Sequence, residues 1–187
     1  MLQYPGVTKS IPYVTFQKCY IGGYISSPWT TASNYRAITA NRLYGRLIVV
    51  PKTMAFDQIL INVQAAGGAG TAARLGLYKC LSTLLPGALV TDYGTVAVDS
   101  TGTKTITITP TLTRGLHYLA LVSDGTPTLY CGEGGVSPLG LATALSGDSA
   151  HGGYAAFTYG VLSGADPFPT MTLAYNTIPV IALRVAS

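Results

Sequence analysis

The sequence predicts an all-β fold, an antiparallel β-sandwich preceded by an extended N-terminal arm. Three observations predict it. Between Met54 and Ser123, five apolar runs are separated by turn residues at short intervals, which is the spacing of sandwich strands. In Thr103–Thr109, Thr fills every odd position and Lys104, Ile106 and Ile108 fall between. That is a strict period of two, which a helix would scramble. No stretch of the chain reads as a helix of substance.

Residues 1–16 read as an arm. Pro5, Gly6 and Pro12 interrupt any long strand, yet Tyr4, Val7, Ile11, Tyr13, Val14 and Phe16 make the segment too apolar to stay in water. It must lie on its own domain or on a neighbouring copy. Residues 17–187 then form a single sandwich domain. Lys18–Ser26 reads as a strand softened by Gly22 and Gly23, and Pro28–Ser33 as a loop. Leu43–Val50 is a strong strand ended by Pro51, rich in the Ile and Val that suit a pleated surface.

In Phe56–Gln64, Ile59, Ile61 and Val63 share one face, opposite Leu60, Asn62 and Gln64. Gly67–Gly70 gives a hairpin loop before Ala73–Cys80, in which Leu75 and Leu77 oppose Arg74, Gly76 and Tyr78. Pro86–Gly87 suits the middle of a type II turn, since Pro fixes φ and Gly accepts a positive one. Ala88–Val96 follows, then Thr101–Thr109, whose Ile106 and Ile108 face the core. Leu116–Val122 is apolar on both faces apart from His117, as a central strand would be. Residues 125–169 are rich in Gly, Ser, Ala and Pro, with tyrosines among them. This region reads as a long loop with short strands at Leu129–Cys131 and near Tyr154–Tyr159. Ile178–Val185 closes the domain, with Pro179 at a strand start or edge.

Composition narrows the function. Of 187 residues, 48% are hydrophobic and only 10% charged, against about 25% charged in an ordinary soluble domain. Thr, Ser, Gly, Asn and Tyr, or another subunit, must therefore cover the surface, and little electrostatic repulsion separates copies. The net charge of +4 comes from few charges of either sign. Arg36, Arg42 and Arg46 are the only dense basic group, too thin a stripe for nucleic acid. Cys19, Cys80 and Cys131 are an odd, widely spaced set without Cys-x-x-Cys spacing, so they do not read as zinc ligands; buried free thiols are the first reading, and one disulfide with one thiol left over is the alternative. No apolar run reaches the roughly 18 residues of a membrane helix. Met1–Gly6 lacks the pattern of a signal peptide, so synthesis in a cytoplasm is expected.

The usual catalytic constellations are not found. The single glutamate, Glu133, and the loop aspartates Asp124, Asp148 and Asp166 do not form the spaced pair a glycosidase needs. His117 alternates with Leu119 and Leu121, which suits a hydrogen-bonded core or interface histidine. His151 sits beside Asp148 in one short loop, whereas a triad converges from distant positions. The glycine clusters at Gly67–Gly70 and Gly132–Gly135 fit neither phosphate-loop nor dinucleotide spacing. No catalytic residue, metal ligand or cofactor is therefore assigned. Tyrosine is the enriched functional type, with 13 copies. Tyr44, Tyr78 and Tyr118 fall in strands and read as packing; Tyr130, Tyr154, Tyr159 and Tyr175 are the candidate surface contacts.

The segments Arg74–Tyr78, Leu85–Val90, Asp92–Val96, Thr105–Ile108 and Gly115–Ala120 together resemble a β-sandwich module that recurs in structural proteins of tailed bacteriophages, itself similar to carbohydrate-binding jelly rolls. The likeness covers a third to a half of the chain and includes no catalytic signature. It implies a jelly-roll-like fold and a virion structural protein, a homotrimer or a subunit in capsid symmetry, that decorates the head or forms part of a fibre. The implied partners are copies of itself and other virion proteins, with Tyr4, Val7, Ile11, Tyr13 and Phe16 as the assembly arm. The other reading is a tail-associated receptor or glycan-binding module, with a host-surface glycan as ligand. An enzyme on the same fold has the least support. Tail fibres need an extended shaft, which this chain lacks, so capsid decoration is favoured.

Overall fold

The computed structural model describes residues 21–26, 33–132, 152–163, 168–174 and 177–187. The arm at 1–16, together with Cys19, Glu133, Asp148, His151, Asp166 and Tyr175, lies outside the described residues. Those residues form two antiparallel sheets stacked as a sandwich, and none of them is helical.

In chain order the strands are β1 (Tyr24–Ile25), β2 (Ser33–Ala37), β3 (Arg42–Val50), β4 (Met54–Ala65), β5 (Ala72–Cys80), β6 (Pro86–Ala97) and β7 (Gly102–Thr107). They are followed by β8 (Thr111–Leu112), β9 (Gly115–Ser123), β10 (Thr128–Gly132), β11 (Gly152–Ala156), β12 (Thr172–Ala174) and β13 (Ala182–Val185). The first sheet runs β1-β13-β4-β10-β2, with β7 and β8 on the other edge of β4. The second runs β12-β11-β3-β9-β5-β6.

The alternation of β4 puts Ile59, Ile61 and Val63 inside, all at most 2% exposed. Ile106 and Ile108 on the β7 side also point inward, as their period requires. Opposite them, Tyr44, Ile48 and Val50 of β3, Leu75 and Leu77 of β5, and Leu119 and Leu121 of β9 complete the core between the sheets. Strand β9 lies between β3 and β5 and is buried on both faces from Tyr118 onward, as its unbroken apolar run predicts.

A second apolar cluster covers the outer face of the second sheet. Leu43, Leu47, Tyr78, Tyr118, Ala120 and Val122 meet Leu162 and Phe168 there. The chain after β11 thus crosses this face as a strap. Its backbone is tied down by Phe157 N–H to the Asn41 carbonyl (3.2 Å) and Phe168 N–H to the Gly87 carbonyl (3.0 Å). Leu162 N–H donates to the Asp92 carboxylate at 3.1 Å, and Arg74 holds that carboxylate. Two glycines make room for the strap. A Cβ on Gly76 would lie 2.6 Å from Leu162 Cδ1, and one on Gly45 would lie 3.0 Å from Phe168 Cζ.

Several expectations need correction. Pro86 and Gly87 do not form the turn; they begin β6. The reversal is made by Leu81–Leu85, with Leu84 itself at φ 64° and Leu81 N–H bonded to the Leu85 carbonyl at 2.8 Å. Leu84 can afford the left-handed conformation because it packs against the second cluster. Residues 33–37 form a strand, β2, that β10 holds through five paired positions. Ile178–Val185 is a strand only from Ala182; Pro179 instead makes one bridge to Cys131. Within 125–169 the two expected short strands are present as β10 and β11; what the loop reading lacked is the packing of Leu162 and Phe168 on the second sheet. Tyr78 packs in a strand as expected, and it and Gly76 are buried on the face opposite Leu75 and Leu77 because the strap covers that face.

Phe168→Ala removes the ring that packs edge-on against Tyr78 at 5.2 Å between centroids. It should cost about 3–4 kcal/mol in urea unfolding. Gly76→Val should destabilise as well, by pushing Leu162 off the sheet. A Gly76→Val protein as stable as the parent would show that the strap is not seated there.

Candidate functional site

The sandwich has four faces, and the described chain covers three of them. The remaining one is the outward face of the first sheet. Its rows follow from the register. Tyr24 of β1 stands opposite Arg184 of β13, which stands opposite Gln58 of β4 and, beyond it, Thr107 of β7. The next row is Ala182, Leu60 and Thr105; Asn62 pairs with Thr103, with its side-chain amide donating to the Thr103 hydroxyl at 3.3 Å. Where β10 replaces β13 beside β4, Tyr130 faces Tyr35 of β2 across the register. Their rings meet edge-on at 5.6 Å.

Tyr24 is 63% exposed and Tyr35 43%, and the three threonines of β7 are exposed. Arg184 and Asp57 neutralise each other on this sheet through two bonds of 2.8 Å, and its other charged residues, Arg36 of β2 and Lys104 of β7, lie on strands toward its edges. The pair raises the Arg184 pKa and holds the Asp57 carboxyl below its usual range, chiefly through those bonds. The face is thus polar, near-neutral and flanked by tyrosines.

The structure separates the tyrosines expected to act together. Tyr130 is half-buried on the outward face of the first sheet. Tyr154 lies on β11 in the second sheet and turns inward, 6.2 Å from the Tyr44 ring, with the Arg42 guanidinium 4.0 Å over its centre. Tyr159 is half-buried on the strap, its N–H bonded to the Asn41 side chain at 2.8 Å. Tyr24 and Tyr35 were not singled out from sequence. Register with Arg184 and Tyr130 places them on the open face, and register between distant strands is not written locally.

The three clustered arginines do not form one surface. Arg36 is exposed and Arg42 stacks on Tyr154, while Arg46 is 1% exposed between the sheets. Arg46 donates from Nη1 to the Ile178 carbonyl at 3.1 Å and reaches that of Pro179 at 3.4 Å. Among the described residues its Nε and Nη2 have no partner, and burial pulls its pKa down to about 10. The Arg46 side chain thus ties the irregular chain before β13 to the middle of β3.

A cleft of about 380 Å³ opens where β8 meets β5, β6 and β9. Leu77, Val90, Leu112 and Leu116 line it, with Lys79, Cys80 and His117 among its polar groups. His117 is half-buried, and its Nε2–H donates to the Thr113 carbonyl at 3.0 Å. Burial raises the Cys80 pKa, so the thiol is not an activated nucleophile. Three of the described aspartates are tied to distant parts of the fold, Asp57 to Arg184, Asp92 to Arg74 and Leu162, and Asp124 to the Ala72 N–H, while Asp99 accepts only from its neighbour Ser100. Among the described residues, no three of His, Cys, Asp and Glu gather to hold a metal ion.

No family model and no curated protein matches the chain. Among solved structures it is similar to a carbohydrate binding module from Cellvibrio mixtus lichenase 5A, determined in complex with cellotriose. The TM-score is 0.31 and the identity 12%, over 61% of this chain and 98% of that one. A likeness at that score decides neither a ligand nor a binding face.

Buried acids predict the alkaline behaviour. Burial raises Cys131 to about 11 and Tyr93 to about 12, and Tyr118 also rises. In the unfolded chain these groups ionise near pH 9 to 10, so above that range the unfolded state releases protons first and stability falls. Thermal melts should hold steady from pH 7 to 8.5 and drop from pH 9 to 11. The Cys131 shift alone is worth about 2–3 kcal/mol, so Cys131→Ala should flatten the early part of the drop.

Proposed function

We propose that this chain is a non-catalytic contact module that works by association with copies of itself and with other virion proteins. In this reading it is a structural protein of a tailed-bacteriophage virion that decorates or stabilises the capsid or forms part of a fibre. The observation that carries the contact role is the open face of the first sheet. It is broad and regular, and its one charge pair is neutralised internally. Such a surface can be buried against a partner without stranding a charge.

The commitment of Asp57, Asp92 and Asp124 to the fold supports a contact role over an enzymatic one. So does a cleft whose histidine is hydrogen-bonded to the Thr113 carbonyl and whose cysteine has its pKa raised by burial. The virion setting rests on the resemblance of the strand-and-turn pattern from Arg74 to Ala120. Under this reading residues 1–16 act as an assembly arm, the chain is one domain with that arm, and a homotrimer is the expected assembly.

The second reading, a receptor or glycan-binding module, draws support from Tyr35 and Tyr130. Their paired rings and neighbouring hydroxyl and amide groups are the chemistry that stacks on and hydrogen-bonds to a sugar.

Thr105→Glu tests the contact reading. The position is exposed, so stability should stay within about 0.5 kcal/mol of the parent. An unpaired carboxylate buried in the contact should weaken self-association more than tenfold, by roughly 1.4 kcal/mol or more, in sedimentation velocity. Unchanged association would remove this face from the interface. A glycan array with the parent and Tyr35→Ala separates the readings: sugar binding lost in Tyr35→Ala supports the second, and no binding by the parent counts against it.

A further inference from the structure

The geometry points to β7 as the strand through which two copies of this chain join, edge to edge and antiparallel, about a two-fold axis at Thr105. This contact rests on the reading of the chain as a self-associating module and names its strand and register.

An edge strand whose outer N–H and C=O groups lack partners is a template for another strand. Among the described residues β7 pairs with β4 alone, and its register runs unbroken from Gly102 beside Val63 to Thr107 beside Gln58. One bond shows which of its groups point outward. Ile108 continues that register, and its N–H donates to the Asp57 carbonyl at 3.0 Å. In an antiparallel ladder every second residue bonds to the same neighbour. Ile106 and Lys104 therefore bond to β4, and the backbone groups of Thr103, Thr105 and Thr107 point away from it. All three threonines are exposed.

Other edges among the described residues are less suited to pairing. Strands β1 and β8 have two residues each and β12 has three. Strand β6 is longer, but its register against β5 breaks at three places. Strand β2 presents the exposed charge of Arg36. The one charge on β7, Lys104, is half-buried, and its ammonium donates to the Ser100 hydroxyl at 2.7 Å. Ser100 in turn donates to the Asp99 carboxylate at 3.3 Å. Lys104 is thus drawn back into the turn between β6 and β7.

The occupant follows from the sequence of β7, which matches itself. With Thr105 opposite Thr105 of a second copy, Thr103 meets Thr107, and threonine pairs across strands are favourable. Every outward N–H finds a carbonyl. On the inner face Lys104 stands opposite Ile106, and each ammonium turns toward its own Ser100, away from the axis. The outward face of the first sheet then continues unbroken from one copy into the next. A two-fold contact of this kind coexists with a three-fold one in dihedral or capsid arrangements.

Cysteine placement tests the register. Thr105→Cys should form a disulfide between copies on mild oxidation. Opposed residues of a hydrogen-bonded pair lie about 5.5 Å apart at Cα, within the roughly 4.4–6.8 Å that a disulfide spans. Thr103→Cys should not link, because its counterpart lies about 14 Å away along the pair. Thr103→Cys combined with Thr107→Cys should link again. Non-reducing gels read the linked species and peptide mass spectrometry assigns the sulfurs, with the parent setting the background from its own cysteines. About tenfold more linked dimer from Thr105→Cys than from Thr103→Cys is expected. Equal linkage, or none from either, overturns the inference.

A proline pair tests the edge without oxidation. Thr105→Pro removes an outward N–H and leaves the β4 ladder whole, so it should melt near the parent while its self-association Kd in sedimentation velocity rises about tenfold or more. Ile106→Pro removes an N–H that serves β4 and should melt lower. A Thr105→Pro protein that melts as low as Ile106→Pro overturns the assignment of the outward groups. Normal folding with unchanged self-association overturns the β7 contact and leaves the outward face standing as the interface. A parent that stays monomeric at every concentration removes the self-association reading itself, and the β7 contact with it.

Discussion

Three strands in the middle of the second sheet, β3, β9 and β5, are buried on both faces, and that constraint orders the rest of the molecule. A strand apolar on both sides cannot face water on either. One side is covered by the first sheet, the ordinary solution for a sandwich. The other needs a second cover, and the chain after β11 supplies it by laying Leu162 and Phe168 across the sheet. Glycine at positions 45 and 76 lets those side chains approach the backbone closely. The Arg74–Asp92 pair then serves the strap as well as the sheet, since the same carboxylate holds Leu162 N–H. Covering this face also bears on where function can lie, because among the described residues only the outward face of the first sheet is left open.

Much of this was legible in the sequence. The period of two in Thr103–Thr109 and in Ile59–Val63 placed the core-facing residues correctly, because alternation depends only on the strand itself. The unbroken run at Leu116–Val122 announced a strand covered on both sides, and β9 is one. What covers it could not be read. Leu162 and Phe168 sit in a Gly- and Pro-rich stretch without periodicity, and their burial comes from contact with residues about a hundred positions away. The turn at Leu81–Leu85 was misplaced for a similar reason: Pro-Gly is a strong local signal, but packing of Leu84 outweighed the cost of its positive φ. The open face was half visible. The threonines of β7 pointed to it, and Tyr130 was picked out, whereas Tyr24 and Tyr35 reach it only through register with distant strands.

The polar groups show a consistent division. Those inside are used for structure: Arg46 reaches the carbonyls of Ile178 and Pro179, Tyr118 donates to the Leu84 carbonyl at 2.7 Å, and Ser123 donates to that of Ala72 at 2.9 Å. Arg46 is the exception in degree. Two of its nitrogens lack partners among the described residues, a desolvation cost that a methionine of similar length would not carry. Its retention makes physical sense as a positional tie, fixing the irregular chain around Pro179 against β3. On the outward face of the first sheet the polar groups are mostly short hydroxyls and amides arranged by strand register, with Arg184 and Asp57 paired, which suits a surface used in contact more than one used in chemistry.

The order of strands has a kinetic consequence. Within the first sheet β4 pairs with β13, so that Ile59 lies beside Leu183, and with β10, so that Val63 lies beside Leu129. None of these neighbours is joined to β4 by a hairpin. The sheet therefore assembles through closure of very long loops, whose entropy must be lost before the pairing returns anything. Until β13 inserts, β4 presents a long apolar strand with an unsatisfied edge, the kind of template that recruits other chains. The protein should thus be a slow, cooperative folder whose most aggregation-prone moment comes just before completion, when its central strand waits for a partner far along the chain.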